Sequence, residues 1–295
     1  MNYLEIAVTV PAHVAESVAW ALTEHGLPGV VIEERKPDEA ARETSTLKAY
    51  LPEIPSALSL SDLRAAISQT LESTAPGTTF EVSTRSVPEE DWATSWQQYW
   101  HVQRIGERLV VRPSWEEYEP QPQDVVITLD PKQAFGTGTH PTTRLCMRIL
   151  ERVATRGPLG KVFDVGAGSG ILAIAALLLG APEAVAVDTD PVAVAAAEEN
   201  AEINHVTDRM QNLVGSADAL EGQAPIVFAN ILAEVIMQLA LELFQHTAPG
   251  GTLIASGIIE RKADAVAREL QSVGFQIVAK EQEGEWVGLE AKRPG

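Results

Sequence analysis

Asp164-Val165-Gly166-Ala167-Gly168-Ser169-Gly170 is the densest chemical signal in the chain. It lies between the apolar run Val162 to Val165 and a helical pattern from Ile171 to Leu179, so it reads as a strand-to-helix turn. Glycines there let a ligand approach the backbone closely, with the helix N-terminal N–H groups facing it. A second short apolar run ends in Val187-Asp188-Thr189-Asp190-Pro191. A carboxylate at the tip of that strand can accept the ribose hydroxyls of a nucleoside. Pro191 suits a first helical turn, so Asp190 reads as the N-cap and Asp188 as the ribose ligand. A nicotinamide dinucleotide fits poorly. Its fingerprint needs a glycine three residues after Gly168, where Ile171 stands, and the third glycine comes one residue early at Gly170.

Further polar positions cluster near strand ends. Asp164 is either a structural strand-end residue or a partner for a ligand's ammonium group. Asp218, in Gly215-Ser216-Ala217-Asp218, either meets an adenine edge or is a solvated loop aspartate. After the fourth strand comes Phe228-Ala229-Asn230-Ile231-Leu232-Ala233. Many enzymes that methylate nitrogen carry Asn or Asp followed by Pro-Pro-aromatic there, and this chain lacks the prolines and the aromatic. Ala134-Phe135-Gly136-Thr137-Gly138-Thr139-His140-Pro141-Thr142-Thr143 is glycine-rich but lacks the Gly-Lys-Ser/Thr of a P-loop. His140 has the chemistry of a general base, but its loop position favours a structural role.

These residues need a scaffold, and the pattern supplies one. From about residue 124, strands alternate with helices: Val162–Val165, helix 171–179, Ala184–Val187, helix 191–202, Leu213-Val214, Ile226–Phe228, helix 232–246, Leu253–Ala255 and helix 260–272. Phe275–Val278 and Trp286–Leu289 follow with no helix between them and should form a hairpin. Alternation of this kind predicts a doubly wound α/β sheet of seven strands, the last antiparallel. Upstream, Leu4, Ile6, Val8 and Val10 alternate with polar residues as a half-buried strand does. A helix through Val14, Val18 and Leu22, strands at 30–32 and 47–51, a helix through Leu60, Leu63, Ile67 and Leu71, and a strand at 80–82 complete the order β-α-β-β-α-β. That is a ferredoxin-like α+β domain over residues 1–86. Residues 87–123 read as a connector, with Trp92, Trp96 and Trp100 on one helical face that either packs as core or docks a partner. Arg108 to Arg112 reads as a short strand. The third segment, 124–295, carries the chemistry.

Composition limits the partners. The 295 residues hold 22 Lys plus Arg against 41 Asp plus Glu, a formal net charge of −19, spread over both halves. Phosphate neutralisation needs clustered basic residues, so direct nucleic-acid binding is not expected. An acidic surface either attracts a basic protein or cationic small molecule or only aids solubility. The single cysteine, Cys146, rules out an intramolecular disulfide framework and a cysteine-rich metal site, and no metal is expected. No stretch approaches the roughly 18 apolar residues of a membrane span, and the N-terminus lacks a signal-peptide pattern, so a cytoplasmic location is expected.

The spacing Asp-x-Gly-x-Gly-x-Gly resembles the first motif of class I S-adenosylmethionine-dependent methyltransferases. Phe135 to Thr143, the glycine turn, Asn230 to Ala233, the tail Glu283-Gly284-Glu285-Trp286, and Asp91-Trp92 through Arg112-Pro113-Ser114-Trp115 together resemble the bacterial methyltransferases of large-subunit ribosomal protein L-eleven. The resemblance runs over nearly the whole chain. It implies a Rossmann-like catalytic domain and S-adenosylmethionine as cofactor, held by Thr143, Gly166, Asp188 and Asn230. Gly168, Asp164 and Asp218 are further candidates. It also implies methylation of lysine ε-amines and of the N-terminal α-amine of that ribosomal protein, free or ribosome-bound, with the N-terminal domain as recognition module. A monomer is expected. No dedicated general base is evident, and Asn230 combines cofactor contact with orientation of the substrate. The other readings are an N-methyltransferase for another protein or a small amine, a nicotinamide oxidoreductase, which Ile171 disfavours, and a noncatalytic cofactor-binding module, against which the intact Asn230 segment argues.

Overall fold

The alternating apolar residues of the first strand predict a sheet with one buried face, and a computed structural model of the chain has that face. It describes residues 2–24, 27, 30–32, 44–52, 60–74, 76–88, 100–130 and 140–295. The chain forms two compact units, Met1–His101 and Val102–Gly295.

In the first unit the elements are β1 (Asn2–Pro11), α1 (Ala15–Glu24), β2 (Val31–Ile32), β3 (Thr44–Pro52), α2 (Leu60–Thr74) and β4 (Glu81–Pro88). The sheet order is β2-β3-β1-β4, with every pairing antiparallel. Together with the two helices this is the ferredoxin-like topology. Ile6, Val8 and Val10 of β1 share one core with Val14, Val18 and Leu22 and with Ile67 and Leu71 of α2. Trp92 and Trp96 lie outside the described residues, while Trp100 is buried.

The second unit opens with a small sheet of β5 (Gln103–Arg104), β6 (Leu109–Pro113) and β7 (Val125–Leu129). β6 and β7 run parallel, from Leu109↔Val125 to Pro113↔Leu129. The sequence places 87–123 in a connector, whereas the division between units falls at His101/Val102. The physical reason is burial. Ile105, Leu109, Val111, Ile127 and Leu129 share one apolar core with the helices of the second unit.

The large sheet comprises β8 (Val162–Val165), β9 (Ala184–Asp188), β10 (Met210–Val214), β11 (Ala224–Asn230), β12 (Thr247–Ile259), β13 (Gln276–Glu283) and β14 (Trp286–Lys292). Its order is β10-β9-β8-β11-β12-β14-β13. β14 is antiparallel to both neighbours, as the absence of a helix before it requires. The helices are α3 (Pro141–Ala154), α4 (Ile171–Leu178), α5 (Pro191–Ile203), α6 (Ala233–Gln238), α7 (Ala240–His246) and α8 (Glu260–Ser272). Residues of α3, α4 and α5 cover one sheet face around Val162, Phe228 and Ile254; residues of α6, α7 and α8 cover the other around Phe163, Val227 and Leu253. The central strands β8, β9 and β11, buried on both faces, are nearly continuous in apolar residues.

The pattern reading has no counterpart of β5, β7 or α3, and two further elements differ from it. The single helix expected over 232–246 is α6 and α7, meeting at Leu239. The apolar spacing Ala233, Ile236, Ala240, Leu243 runs through the break unchanged, so periodicity alone cannot see it. β12 begins at Thr247, ahead of Pro249-Gly250-Gly251, because Thr247 already pairs with Ala224 before the register shifts to Thr252↔Ile226.

Candidate active site

Strand order reverses between β8 and β11, and crevices at such switch points, beyond the strand carboxyl ends, are where doubly wound sheets bind ligands. The glycine turn, Asp188 and Asn230 all lie at this end. The turn is tied to the second strand by the N–H groups of Gly166 and Ala167, which donate to the Val187 carbonyl at 2.9 and 3.0 Å. Gly166, Gly168 and Gly170 all have positive φ (73°, 54° and 77°). A Cβ on Gly166 would also lie 2.1 Å from Cγ2 of Ile231, so this glycine lets the chain after Asn230 come close.

Asp188 is locked in place. Its Oδ2 accepts the Gly168 N–H at 2.8 Å, and its Oδ1 accepts the Asp190 N–H at 3.0 Å. Each oxygen keeps further acceptor capacity. Asp190 caps α5, accepting the Val192 N–H at 2.8 Å with Pro191 in the first turn. Asp164 is 1% exposed, and its Oδ2 accepts the Ala173 N–H of α4 at 3.1 Å. Burial pushes its carboxyl up to about 7; the Ala173 hydrogen bond opposes this and the Asp188 charge adds to it.

Asn230 is buried at the tip of β11, where its Nδ2 donates to Oγ1 of Thr143, itself fully buried in α3, at 3.4 Å. That contact turns Oδ1 the other way. Oδ1 of Asn230 and Oδ1 of Asp164 are both buried and lack a hydrogen-bond partner among the described residues. Buried acceptors left unmatched cost about 1–3 kcal/mol each, so two at a switch-point crevice fit a polar ligand with donor groups. Asp218 lies apart on the turn Ala217–Ala219 after β10, exposed to solvent.

His140 is the N-cap of α3. Its Nδ1 accepts the Thr142 N–H at 3.3 Å, and Trp286 packs edge-on against the ring, centroids 4.9 Å apart. Burial, with the Arg144 charge, lowers its pKa to about 3. A neutral imidazole engaged in a helix cap is a poor general base. Burial likewise pushes the Cys146 thiol well above its usual range, with the Asp164 charge adding to it.

Nothing in the sequence pattern singles out Asn200 of the Ala-rich α5 or Asn204 at its C-cap. Yet Asn200 is 2% exposed and contacts the glycine turn, donating from Nδ2 to the Ser169 carbonyl at 3.0 Å. The signal present is a pair of asparagines four residues apart, one helical turn, where alanines fill the neighbouring buried positions.

The seven-stranded order with an antiparallel β14, the glycine turn and a carboxylate at the next strand tip define a Rossmann-like class I methyltransferase domain. Comparison with known proteins narrows this. The family model of ribosomal protein L11 methyltransferases matches residues 2–294. A ribosomal protein L11 methyltransferase of Pelotomaculum thermopropionicum is 44% identical, covering 99% of each chain. One from Chloroflexus aurantiacus is 39% identical, over 99% of this chain and 98% of its own. A crystal structure of the ribosomal protein L11 methylase of Lactobacillus delbrueckii subsp. bulgaricus matches 66% of this chain and all of its own, with TM-score 0.62 and 38% identity. The chain belongs to the ribosomal protein L11 methyltransferase family.

Proposed function

We propose that this protein transfers methyl groups from S-adenosylmethionine to amines of ribosomal protein L11, the ε-amines of lysines and the N-terminal α-amine. The observation that carries the reading is Asp188, its two oxygens fixed at 2.8 and 3.0 Å by the N–H groups of Gly168 and Asp190 beside the glycine turn. A carboxylate so oriented suits two ribose hydroxyls. The backbone of Gly166 and Gly168 leaves room for the body of the cofactor, and the unmatched Oδ1 of Asp164 suits an ammonium group. When bound, the cofactor supplies a methyl on a sulfonium, open to in-line displacement.

The remaining demand is a correctly placed, unprotonated amine. A free lysine titrates about three units above pH 7, so its proton must be shed by desolvation on entering the site. Asn230 assists by orientation. Thr143 holds its Nδ2, which leaves Oδ1 to accept a hydrogen bond from the incoming amine or from the cofactor. His140, with its depressed pKa and capping contact, takes no part in the proton transfer.

The N-terminal ferredoxin-like unit serves as the recognition module for L11, free or on the ribosome, and tethering raises the effective concentration of target amines at the methyl donor. The net charge of −19 complements a basic substrate and disfavours direct contact with RNA. The working unit is a monomer in the cytoplasm, where the substrate is made. The test is transfer of radiolabelled methyl groups from S-adenosylmethionine into a ribosomal protein fraction, followed by mass mapping. Label on lysines and the N-terminus of L11 supports the reading. Label confined to another protein or to small amines replaces it with the corresponding N-methyltransferase.

A further inference from the structure

Asn200 uses both ends of its buried amide to join two segments far apart in sequence. Its Oδ1 accepts the Asp130 N–H at 3.2 Å, and its Nδ2 donates to the Ser169 carbonyl at 3.0 Å. Ser169 belongs to the glycine turn. Asp130 immediately precedes 131–139, the segment that leads to the His140 cap and Thr143. One turn later, at the C-cap of α5, Asn204 grips the same stretch differently: Oδ1 accepts the Thr128 N–H at 2.9 Å, and Nδ2 donates to the Thr128 carbonyl at 2.7 Å. Asn204 thus extends the edge of β7 as another strand would. Its Nδ2 also donates to the Asn200 carbonyl at 2.8 Å, and among the described residues none of its side-chain hydrogen bonds reaches the glycine turn. α5 itself starts at the Asp190 cap, two residues after Asp188.

We propose that Asn200 is a positioning residue for the cofactor site, bracing the glycine turn at Ser169 against the chain at Asp130 so that the turn meets the cofactor in fixed register. This rests on the cofactor reading above. An aliphatic side chain at this place would fill the gap between alanines equally well, and only the amide can serve a donor and an acceptor at once. The buried site makes both hydrogen bonds costly to lose. The turn they hold presents the Gly168 N–H to Asp188, so slack at Ser169 passes directly to the proposed ribose ligand.

The experiment compares Asn200→Ala, Asn200→Asp and Asn204→Ala in the full-length chain by three readouts. These are thermal midpoint, backbone hydrogen exchange of residues 166–172 without cofactor, and S-adenosylmethionine affinity by calorimetry. Asn200→Asp keeps the acceptor for Asp130 but places a carboxylate oxygen against the Ser169 carbonyl, which separates the clamp from loss of bulk. Both Asn200 variants should speed exchange in 166–172 and weaken cofactor binding by about tenfold, the scale of one or two buried hydrogen bonds. Asn204→Ala should lower the thermal midpoint at least as much as Asn200→Ala, yet leave affinity within about twofold because its side-chain hydrogen bonds do not reach the turn. Unchanged affinity in the Asn200 variants, or an equal loss in Asn204→Ala, overturns the inference while the cofactor reading stands. A wild-type chain that binds no S-adenosylmethionine overturns the cofactor reading, and the inference falls with it.

Discussion

Two aspartates two residues apart do different work, and local chemistry separates them. Asp190 precedes Pro191 and caps α5, while Asp188 turns back to the glycine turn. Asp190→Ala should therefore cost about 1 kcal/mol of stability and spare cofactor affinity. Asp188→Ala should lose roughly 1.5–3 kcal/mol of S-adenosylmethionine binding, the worth of hydrogen bonds to a charged group. Calorimetry and denaturant titration on both variants check this; equal affinities would remove Asp188 from the ribose role. The distinction is legible in sequence because a proline after a capping residue is a signal confined to neighbouring positions. Asn200 is the opposite case: its partners lie 31 and 70 residues away, and helical periodicity says nothing about them. His140 is intermediate. Its loop position already favours a structural role, but the Trp286 ring against it comes from the far end of the chain.

Among the elements, α3 and the turn after it are fastened to the β13–β14 hairpin by a row of arginines four residues apart. Arg144 and Arg148 pair with Glu283, Arg152 with Glu281 and Glu290, and Arg156 with Glu290. The Glu290 side chain is fully buried, whereas Arg152 and Arg156 are 37% and 48% exposed. Burial alone would raise the Glu290 carboxyl, but hydrogen bonds from Arg156 and Arg152 and their charges hold it below the usual carboxylate range. Glu283 behaves alike, with Arg144 and Arg148 outweighing burial. A folded pKa below the unfolded one stabilises the fold above the unfolded value, and the gain is lost as pH falls through the folded value. Glu290→Gln should thus lower stability near pH 7 by about 2 kcal/mol, less than a fully buried pair because the arginines keep water. The gap to wild type should narrow below about pH 4. Denaturant midpoints across pH 3–8 check it, and a gap independent of pH would show that packing, not charge, is what Glu290 contributes. The β13–β14 hairpin is legible from period and length, whereas α3 has no counterpart in the pattern reading. The break at Leu239 and the early start of β12 are not legible either, because one leaves the apolar spacing intact and the other crosses residues that read as a turn.

At the scale of the whole molecule, the division falls at Val102, since β6 pairs with β7 and its apolar residues join the core of the second unit. A fragment of residues 102–295 keeps Thr143, Gly166, Asp188 and Asn230 with a complete sheet. It should bind S-adenosylmethionine almost normally yet methylate intact L11 poorly, because the tether to a recognition module is gone. A fragment that methylates L11 at the full-length rate would show that the ferredoxin-like unit is not that module. A cut at Gln121 should cost stability instead, because it removes β6 from beside β7 and exposes Ile127 and Leu129. Order and type are legible in the sequence for the first unit and for the second from β8 onward, but β5, β7 and α3 are not, and the boundary is a property of the packed core.

The glycine turn with Asp188 is proposed to hold S-adenosylmethionine and not a nicotinamide dinucleotide. Calorimetric titration of the full-length chain with each cofactor tests it most directly. Saturable binding of S-adenosylmethionine, weakened by Asp188→Ala, is expected, with no heat of binding for NAD. Tight binding of NAD with no response to S-adenosylmethionine would contradict it.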